Sequence, residues 1–464
     1  MRHAPRMAKP TKLKPQKLVR SRAPRKPTVT SSTRVAVITP VHGPSLPYLR
    51  AAYASLLLQT RTDWYWWIAL TAPGLELPKE ISDDVRVHVL PYTTENFPVA
   101  GRIGLYKSVL SHAATATSAY VLELDADDEL HRDAVSEVSA AFDAGADFVY
   151  SDCAYWKDLG GGEYAARWPA YPFGTAYGWQ APYKVSYRGM ELLAQHAPPV
   201  TSQNIRRVEW SPDHLRAWRL SKYLKVGGHK TAMAVADDHD LIVRMYLDRA
   251  VFKHIPKPLY FYRVHGENTV STRNAEIQLA TQGVYERNIL ALAESFARDN
   301  GLDLIDLCGA HTSPAGYTVL DAVKPDAPRE YRLCDLNAPW PVAANSVGVL
   351  RAVDAIEHLK DPIHTMNEAY RVLAPGGMML VSTPSTNGPG AFCDPTHVSF
   401  WNQYSFRYYA DPQYMRYIPA FTGKFQLLRA IEYQQPHMPP GMPYVDAQLV
   451  KLGPGYEPMG SMFP

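Results

Sequence analysis

A chain of 464 residues with 46% apolar and 20% charged residues has room for two or three domains, and this composition excludes a disordered, collagen-like or disulfide-stapled polypeptide. The net charge of +3 hides an asymmetry: residues 1–33 hold ten Lys/Arg and no Asp/Glu, which leaves residues 34–464 at −7. A mildly acidic body disfavours nucleic-acid binding, which needs a cationic surface. The basic arm has five prolines, which break amphipathic helices, and no hydrophobic stretch, so it reads as a disordered, solvated tail rather than a secretory signal. Four cysteines are scattered without a CxxC pair, which suits a reducing, cytoplasmic setting. No apolar run reaches the length of a membrane span.

In chain order, the pattern from Arg34 to Cys153 alternates strand and helix, the mark of an α/β layer fold. Strands are expected at Val35–Val41, Trp64–Ala72, Val85–Tyr92, Ala119–Leu124 and Phe148–Cys153. Helices are expected from Pro44 to Gln59, over Arg102–Ala116 and over His131–Ala144. Residues 154–225 change texture: Trp156, Trp168, Trp179, Trp210 and Trp218, a run of glycines and several prolines suggest a long substrate-shaping loop region. Order returns with a helix at Asp237–Asp248 and a strand near Pro258–Val264. The amphipathic stretch Asn274–Asp299 predicts a connecting helix. A second strand–helix alternation follows, with strands at Leu302–Leu307, Thr318–Leu320, Ser346–Arg351 and Met378–Thr383. From about Pro436 the chain is rich in Pro, Gly and Met and is expected to wrap a surface. The expected organisation is a tail (1–33), a first domain (34–270), a linker helix (271–300), a second domain (301–435) and a C-terminal extension (436–464).

The most informative segment is LELDADDEL, residues 122–130, where an apolar strand ends in alternating carboxylates. Ligands bind at the carboxyl ends of strands in open α/β sheets. Carboxylates crowded there repel one another unless a cation intervenes, and Mg²⁺ or Mn²⁺ bridging a diphosphate does so economically. An acidic turn capping the next helix is the plainer alternative. Asp237, Asp238 and Asp240 open a helix, which exceeds what capping requires. An aromatic strand then ends in His265.

In this order VITPVHG (37–43), LELDADDEL, GGHKTAMAVADDHDLIVRM (227–245) and PLYFYRVHGENT (258–269) resemble a family 2 glycosyltransferase of the GT-A fold. The resemblance covers residues 34 to about 270. It implies a metal-dependent, inverting transfer of a hexosyl-type group from a nucleotide-diphosphate sugar, with a UDP-sugar as the expected donor, to an acceptor hydroxyl on a protein, glycan or lipid. By the same resemblance Thr39, Pro40, Val41 and His42 line the nucleotide pocket. Asp125, beside Ala126, contacts ribose or shares the metal, Asp127 ligates Mn²⁺ or Mg²⁺, and His265 completes the metal or diphosphate site. Asp238 is the general base with Asp237 as its neighbour. Arg102 and Lys107 stand where relatives place a basic residue for the donor. One departure concerns the base: the family's Asp-Asp-Gly-Ser turn is replaced by Ile68–Gly74, which lacks an acid, so Thr71 or a backbone group would substitute. The aromatic region offers an acceptor platform, and His214 or Arg219 is a further candidate for the donor phosphates.

Residues 302–384 resemble a class I S-adenosylmethionine-dependent methyltransferase. Elements around Asp306, Asp321, Asp335, Glu357-His358-Leu359 and Arg371–Gly377 follow one another in the family's order. The glycine loop is altered to IDLCGAHTSPAG (305–316), keeping Gly309 but placing Cys308 and Ala310 where glycines are expected. Asp306, Gly309, Asp321 and Asp335 would be remnants of a SAM site, and His397 is a loop histidine that could act as a base. Two readings stay open: an active methyltransferase, making the chain bifunctional, or a degenerate module kept for packing, oligomerisation or acceptor docking. A sugar-binding scaffold without catalysis is the alternative for the whole.

Overall fold

In the computed structural model the described residues are 34–99, 101–157, 180–206, 214–325, 328–436 and 438–454. The basic tail, Trp168, Trp179 and Trp210 lie outside them.

Two sheets organise the chain. The first contains β1 (Val35–Val41), β2 (Tyr65–Leu70), β3 (Val87–Leu90), β4 (Tyr120–Glu123), β5 (Glu129–Leu130), β6 (Phe148–Lys157), β7 (Tyr183–Tyr187), β8 (Met190–Gln195), β9 (Arg216–Arg219) and β10 (Phe252–Val264). Its order is β3-β2-β1-β4-β9-β6-β10-β5, with the β7–β8 hairpin attached to β6. β1 is buried throughout and pairs in parallel with β2 and β4. A strand apolar on both faces needs a layer on each side, and apolar clusters lie on both.

β9 lies in a stretch expected to be irregular, yet it runs antiparallel between β4 and β6. Its sequence, Arg-Ala-Trp-Arg, does not look like an interior strand. Its arginines are tolerated because each meets an acid: Arg216 meets Glu123, and Arg219 meets Asp147. Trp218 is core, stacked on Tyr223 at 5.5 Å, and Trp156 packs its ring under the Arg263 guanidinium at 3.9 Å. Trp218 is thus spent on packing and Trp156 has one ring face taken by Arg263.

The second sheet has β11 (Asp303–Leu307), β12 (Thr318–Asp321), β13 (Tyr331–Leu333), β14 (Val347–Val353), β15 (Leu373–Pro384), β16 (Phe425–Gln434) and β17 (Pro443–Lys451), in the order β13-β12-β11-β14-β15-β17-β16. The first five are parallel, and β17 is antiparallel to both its neighbours. The order reverses between β11 and β14, a topological switch point. Part of the expected surface-wrapping extension is thus an interior strand. Its alternation Tyr-Val-Asp-Ala-Gln-Leu-Val buries Val445, Ala447 and Leu449 on one face.

The helix Asn274–Asp299 has the expected bounds but does more than connect. Val284, Tyr285 and Leu292 join the core of the first sheet, while Ala293 and Ala297 pack with residues of the second. Arg206 crosses between the two halves, stacking over Phe296 at 3.8 Å and donating to Gly376 O at 2.5 Å. No helix among the described residues is long and apolar enough to cross a membrane.

Candidate functional site

The carboxyl ends of β1 and β4 open onto a cavity of about 480 Å³ lined by Pro40, His42, Thr71, Lys107, Asp125, Ala126, Asp127, His214, Arg216, Asp237, Asp238 and Arg273, among others. One wall is the acidic loop after β4. Asp127 Oδ2 lies 2.8 Å from His265 Nε2. His265 is held from the other side by its own N–H, which donates to Asn268 Oδ1 at 2.6 Å, and it stacks on Tyr48 at 5.2 Å.

Asp128 turns inward instead. It accepts from the Tyr260 hydroxyl at 2.8 Å and from Arg263 N at 2.7 Å. Burial, together with neighbouring acids, pushes the carboxyls of both Asp125 and Asp128 above the usual range. Negative charge is therefore under-compensated here, and Asp127, which lines the cavity, is paired with the His265 imidazole. That donor set suits a hard or borderline divalent cation such as Mn²⁺ or Mg²⁺.

The opposite wall is the start of the helix Asp237–Leu247, whose positive dipole end favours acids. The residue before it, Ala236, has φ 55°, a left-handed conformation that a non-glycine residue adopts at a cost. Asp237 is buried, and burial lifts its carboxyl to about 7 against the pull of Lys107. Its Oδ2 has no hydrogen-bond partner.

Asp238 faces the cavity with 29% of its side chain exposed. Burial would raise its carboxyl, but the Arg216 guanidinium at 2.6 Å, with Lys107 next in effect, holds it well below the usual range. Lys107 ion-pairs with Glu123 and lies 3.9 Å from Asp237 Oδ2. Glu123 is likewise opposed by burial but held at about 2, first by Arg216 and then by Lys107. Gly104 allows this approach, because a Cβ there would stand 2.4 Å from Lys230 O and 3.2 Å from the Asp237 Cβ. The helix Ile103–Ala114 can therefore press against the loop and deliver Lys107.

Pro40, His42, Lys107, Asp125, Ala126, Asp127, Asp237 and Asp238 line the cavity, and His265 joins through Asp127. Thr39 and Val41 do not reach it. The Thr39 hydroxyl is fully buried, donating to Leu124 O and accepting from Trp66 Nε1, and Val41 is core. Consecutive strand residues point to opposite faces, so a run of four could not all line one pocket. Arg102 stands at the N-cap position of its helix and donates to Ala232 O, and it is not among the residues lining the cavity. Arg219 is likewise removed, held by Asp147, the Tyr120 hydroxyl and the carbonyls of Phe142 and Ala146. His214 does line the cavity, stacked on Tyr260 at 4.7 Å. Thr71 reaches the rim, but its hydroxyl is committed to Val41 O at 3.0 Å. Sequence reasoning missed Glu123, Arg216 and Arg273. Arg216 lies on β9, a strand the sequence did not mark as interior, so no local signal pointed to it.

At the second sheet, Asp306 is buried and paired with Arg351 at 2.7 Å. Gly309 packs directly over it, since a Cβ there would meet Asp306 Oδ2 at 2.4 Å. The loop's own groups close it. Arg329 donates to Gly309 O and Ser313 O, and Asp321 Oδ2 accepts from Ala310 N at 3.2 Å. Cys308 is left-handed at φ 53°, where a glycine was expected. Asp335 is exposed and accepts from Asn337 within its own turn. All four cysteines are free.

Residues 291–381 match the family model described as a methyltransferase domain, as the order of motifs in this half implied. The O-antigen biosynthesis protein RfbC of Myxococcus xanthus is 25% identical over 280 residues, which cover 57% of this chain and 18% of that protein. The chain thus spans less than a fifth of the length of that curated relative. Among solved structures, S. aureus TarS 1–349 in complex with UDP-GlcNAc is similar at 15% identity and a TM-score of 0.40, over 58% of this chain and 73% of that one. The mannosyltransferase PcManGT of Pyrobaculum calidifontis, in complex with GDP-Man and Mn²⁺, is similar at 16% identity and a TM-score of 0.34, over 58% of this chain and 76% of that one.

Proposed function

We propose that the first sheet carries a metal-dependent, inverting glycosyltransferase that moves a sugar from a nucleotide-diphosphate donor, a UDP-sugar by preference, to an acceptor hydroxyl. The observation that carries this reading is the pairing of Asp127, which lines the cavity, with His265 behind it, in a cavity that Asp238 also lines. Asp127 and His265, with Asp125 beside them, would hold Mn²⁺ or Mg²⁺. Such an ion offsets charge on the departing diphosphate. Pro40 and His42 shape the nucleotide end of the pocket. Asp238 takes the acceptor hydroxyl proton on its carboxylate, and Arg216 keeps that carboxylate ionised and aimed. No second carboxylate is needed on the opposite face of the sugar, in contrast with glycoside hydrolysis.

The test is a thermal-shift screen of nucleotide sugars with and without Mn²⁺, followed by a transfer assay. A ligand that binds only the folded state raises the melting temperature. One nucleotide sugar should stabilise the protein in a Mn²⁺-dependent way, and Asp127→Ala should lose both that shift and transfer. Transfer unaffected by chelator would remove the metal from the mechanism.

For the second domain, the loop closed by Arg329 and Asp321 supports a module that no longer binds S-adenosylmethionine. Calorimetry with that cofactor decides: tight binding abolished by Asp321→Ala would establish a bifunctional enzyme instead.

A further inference from the structure

We propose that Glu357, His358 and His397 form a binding site for a divalent transition-metal ion on the second sheet, distinct from the Asp127–His265 pair. β14 ends at Val353; the next residue, Asp354, has a φ of 49°, left-handed for a non-glycine residue, and the 3-10 turn Ile356–His358 follows. Strain of this kind is retained where the surroundings enforce it. It places two consecutive ligating residues at the carboxyl end of the strand flanking the switch point. After β15 the chain returns to this turn: Val398 N and Ser399 N both donate to Glu357 O, at 2.8 and 3.0 Å. That docking brings His397 beside His358, with ring centroids 4.9 Å apart. One ligating atom from each of the three residues lies within 4.8 Å of the others.

Two details point to a cation. Glu357 is only 2% exposed; its Oε2 accepts from the Thr383 hydroxyl at 2.8 Å, while its buried Oε1 has no partner. A buried carboxylate oxygen left unpaired is costly, and a bound cation satisfies it. In both histidines Nδ1 meets a backbone carbonyl, Thr396 O for His358 at 3.3 Å and Ala391 O for His397 at 3.0 Å. His358 Nδ1 also meets the Thr396 hydroxyl at 3.1 Å. In the tautomer with the proton on Nδ1, both Nε2 lone pairs are available, the arrangement found around metal-bound imidazoles. Two imidazoles and one carboxylate suit Zn²⁺, Fe²⁺, Ni²⁺ or Co²⁺ and leave coordination positions open for water or an oxygen ligand. Phe392 and Phe400, 59% and 51% exposed and 5.1 Å apart, flank His397 in the chain and form an exposed apolar pair. The competing role for His397 is a structural ion pair with Asp394, whose Oδ2 lies 4.0 Å from Nε2.

The experiment uses full-length protein carrying Asp127→Ala, which disables the first site, stripped with chelator and titrated with Co²⁺. One equivalent should bind with visible ligand-field absorbance. Adding His358→Gln and His397→Gln should weaken it about 100-fold or more. Equal stoichiometry and affinity in the two proteins, with matching circular dichroism, would overturn the site in favour of the ion pair. If the double histidine variant fails to fold, the Asp127→Ala protein is loaded with Cu²⁺ and read by electron paramagnetic resonance. Hyperfine splitting from two imidazole nitrogens supports the site, and its absence rejects it. Neither readout depends on sugar transfer.

Discussion

Arg216 Nη1 donates to Asp238 Oδ2 at 2.6 Å while Arg216 Nε donates to Glu123 Oε2 at 2.7 Å. A single buried guanidinium thus ties the strand that leads into the acidic loop to the acid on the facing helix. Replacing it with an isosteric apolar residue, Arg216→Met, leaves Asp238 without its main stabilising charge. The Asp238 carboxyl should rise, and the acid limb of the pH–rate profile should move to higher pH. Stability should fall, but by less than the ~3–5 kcal/mol of an unpaired buried charge, because Lys107 still pairs with Glu123 and Asp238 is partly exposed. Denaturant unfolding measures the second effect, and an unmoved acid limb would detach Arg216 from Asp238.

The two adjacent acids make separable predictions. Asp238 faces the cavity and is ionised, so Asp238→Asn should lower kcat by about 10²–10⁴-fold, the range for loss of a general base, with little change in KM. Asp237 is buried, and burial raises its carboxyl above the usual range, so Asp237→Asn should cost much less. Steady-state kinetics on both variants would reverse the assignment if Asp237→Asn proved the more damaging.

Gly104→Ala tests the close approach of the Lys107 helix. With a carbonyl oxygen 2.4 Å from the new methyl group, the helix must shift. Overpacking of this kind costs about 1–3 kcal/mol. Donor affinity should drop as Lys107 moves, as read by titration calorimetry, while an exposed change such as Gly145→Asn should leave it unaltered.

The buried neighbours His229 and Asp237 should bend the pH dependence of stability in opposite directions. Burial, and then Lys107, depress His229 from 6.5 to about 3. Its contribution is complete above pH 6.5 and is lost as pH falls toward 3. Asp237 is raised from 3.8 to about 7, so its contribution is complete below pH 3.8 and is lost as pH rises toward 7. Between pH 4 and 6.5 the two oppose. His229→Gln should make the melting temperature fall less on acidification, and Asp237→Asn should make it fall more. Parallel curves for both variants would refute the pairing.

Much of this architecture could be read locally. β1, the helix Asn274–Asp299 and the loop after β4 announce themselves by apolar runs, period and sudden acidity. β9 did not, because two of its four residues are arginines whose burial depends on Glu123 and Asp147 far along the chain. β17 was hidden behind the Pro/Gly/Met-rich segment that leads into it.

By itself the sequence determined the two α/β layers, the positions of their strand ends, and therefore which acids could meet a ligand, since periodicity and chain direction are local properties. Only the tertiary structure decided which acids do so. Asp127 finds His265 across 138 positions, Asp128 is spent on Tyr260 and Arg263, and of the two acids that line the cavity Asp238 is partly exposed while Asp237 is buried. Burial and the nearest opposite charge set each carboxylate's state, and both depend on which distant segments pack against it.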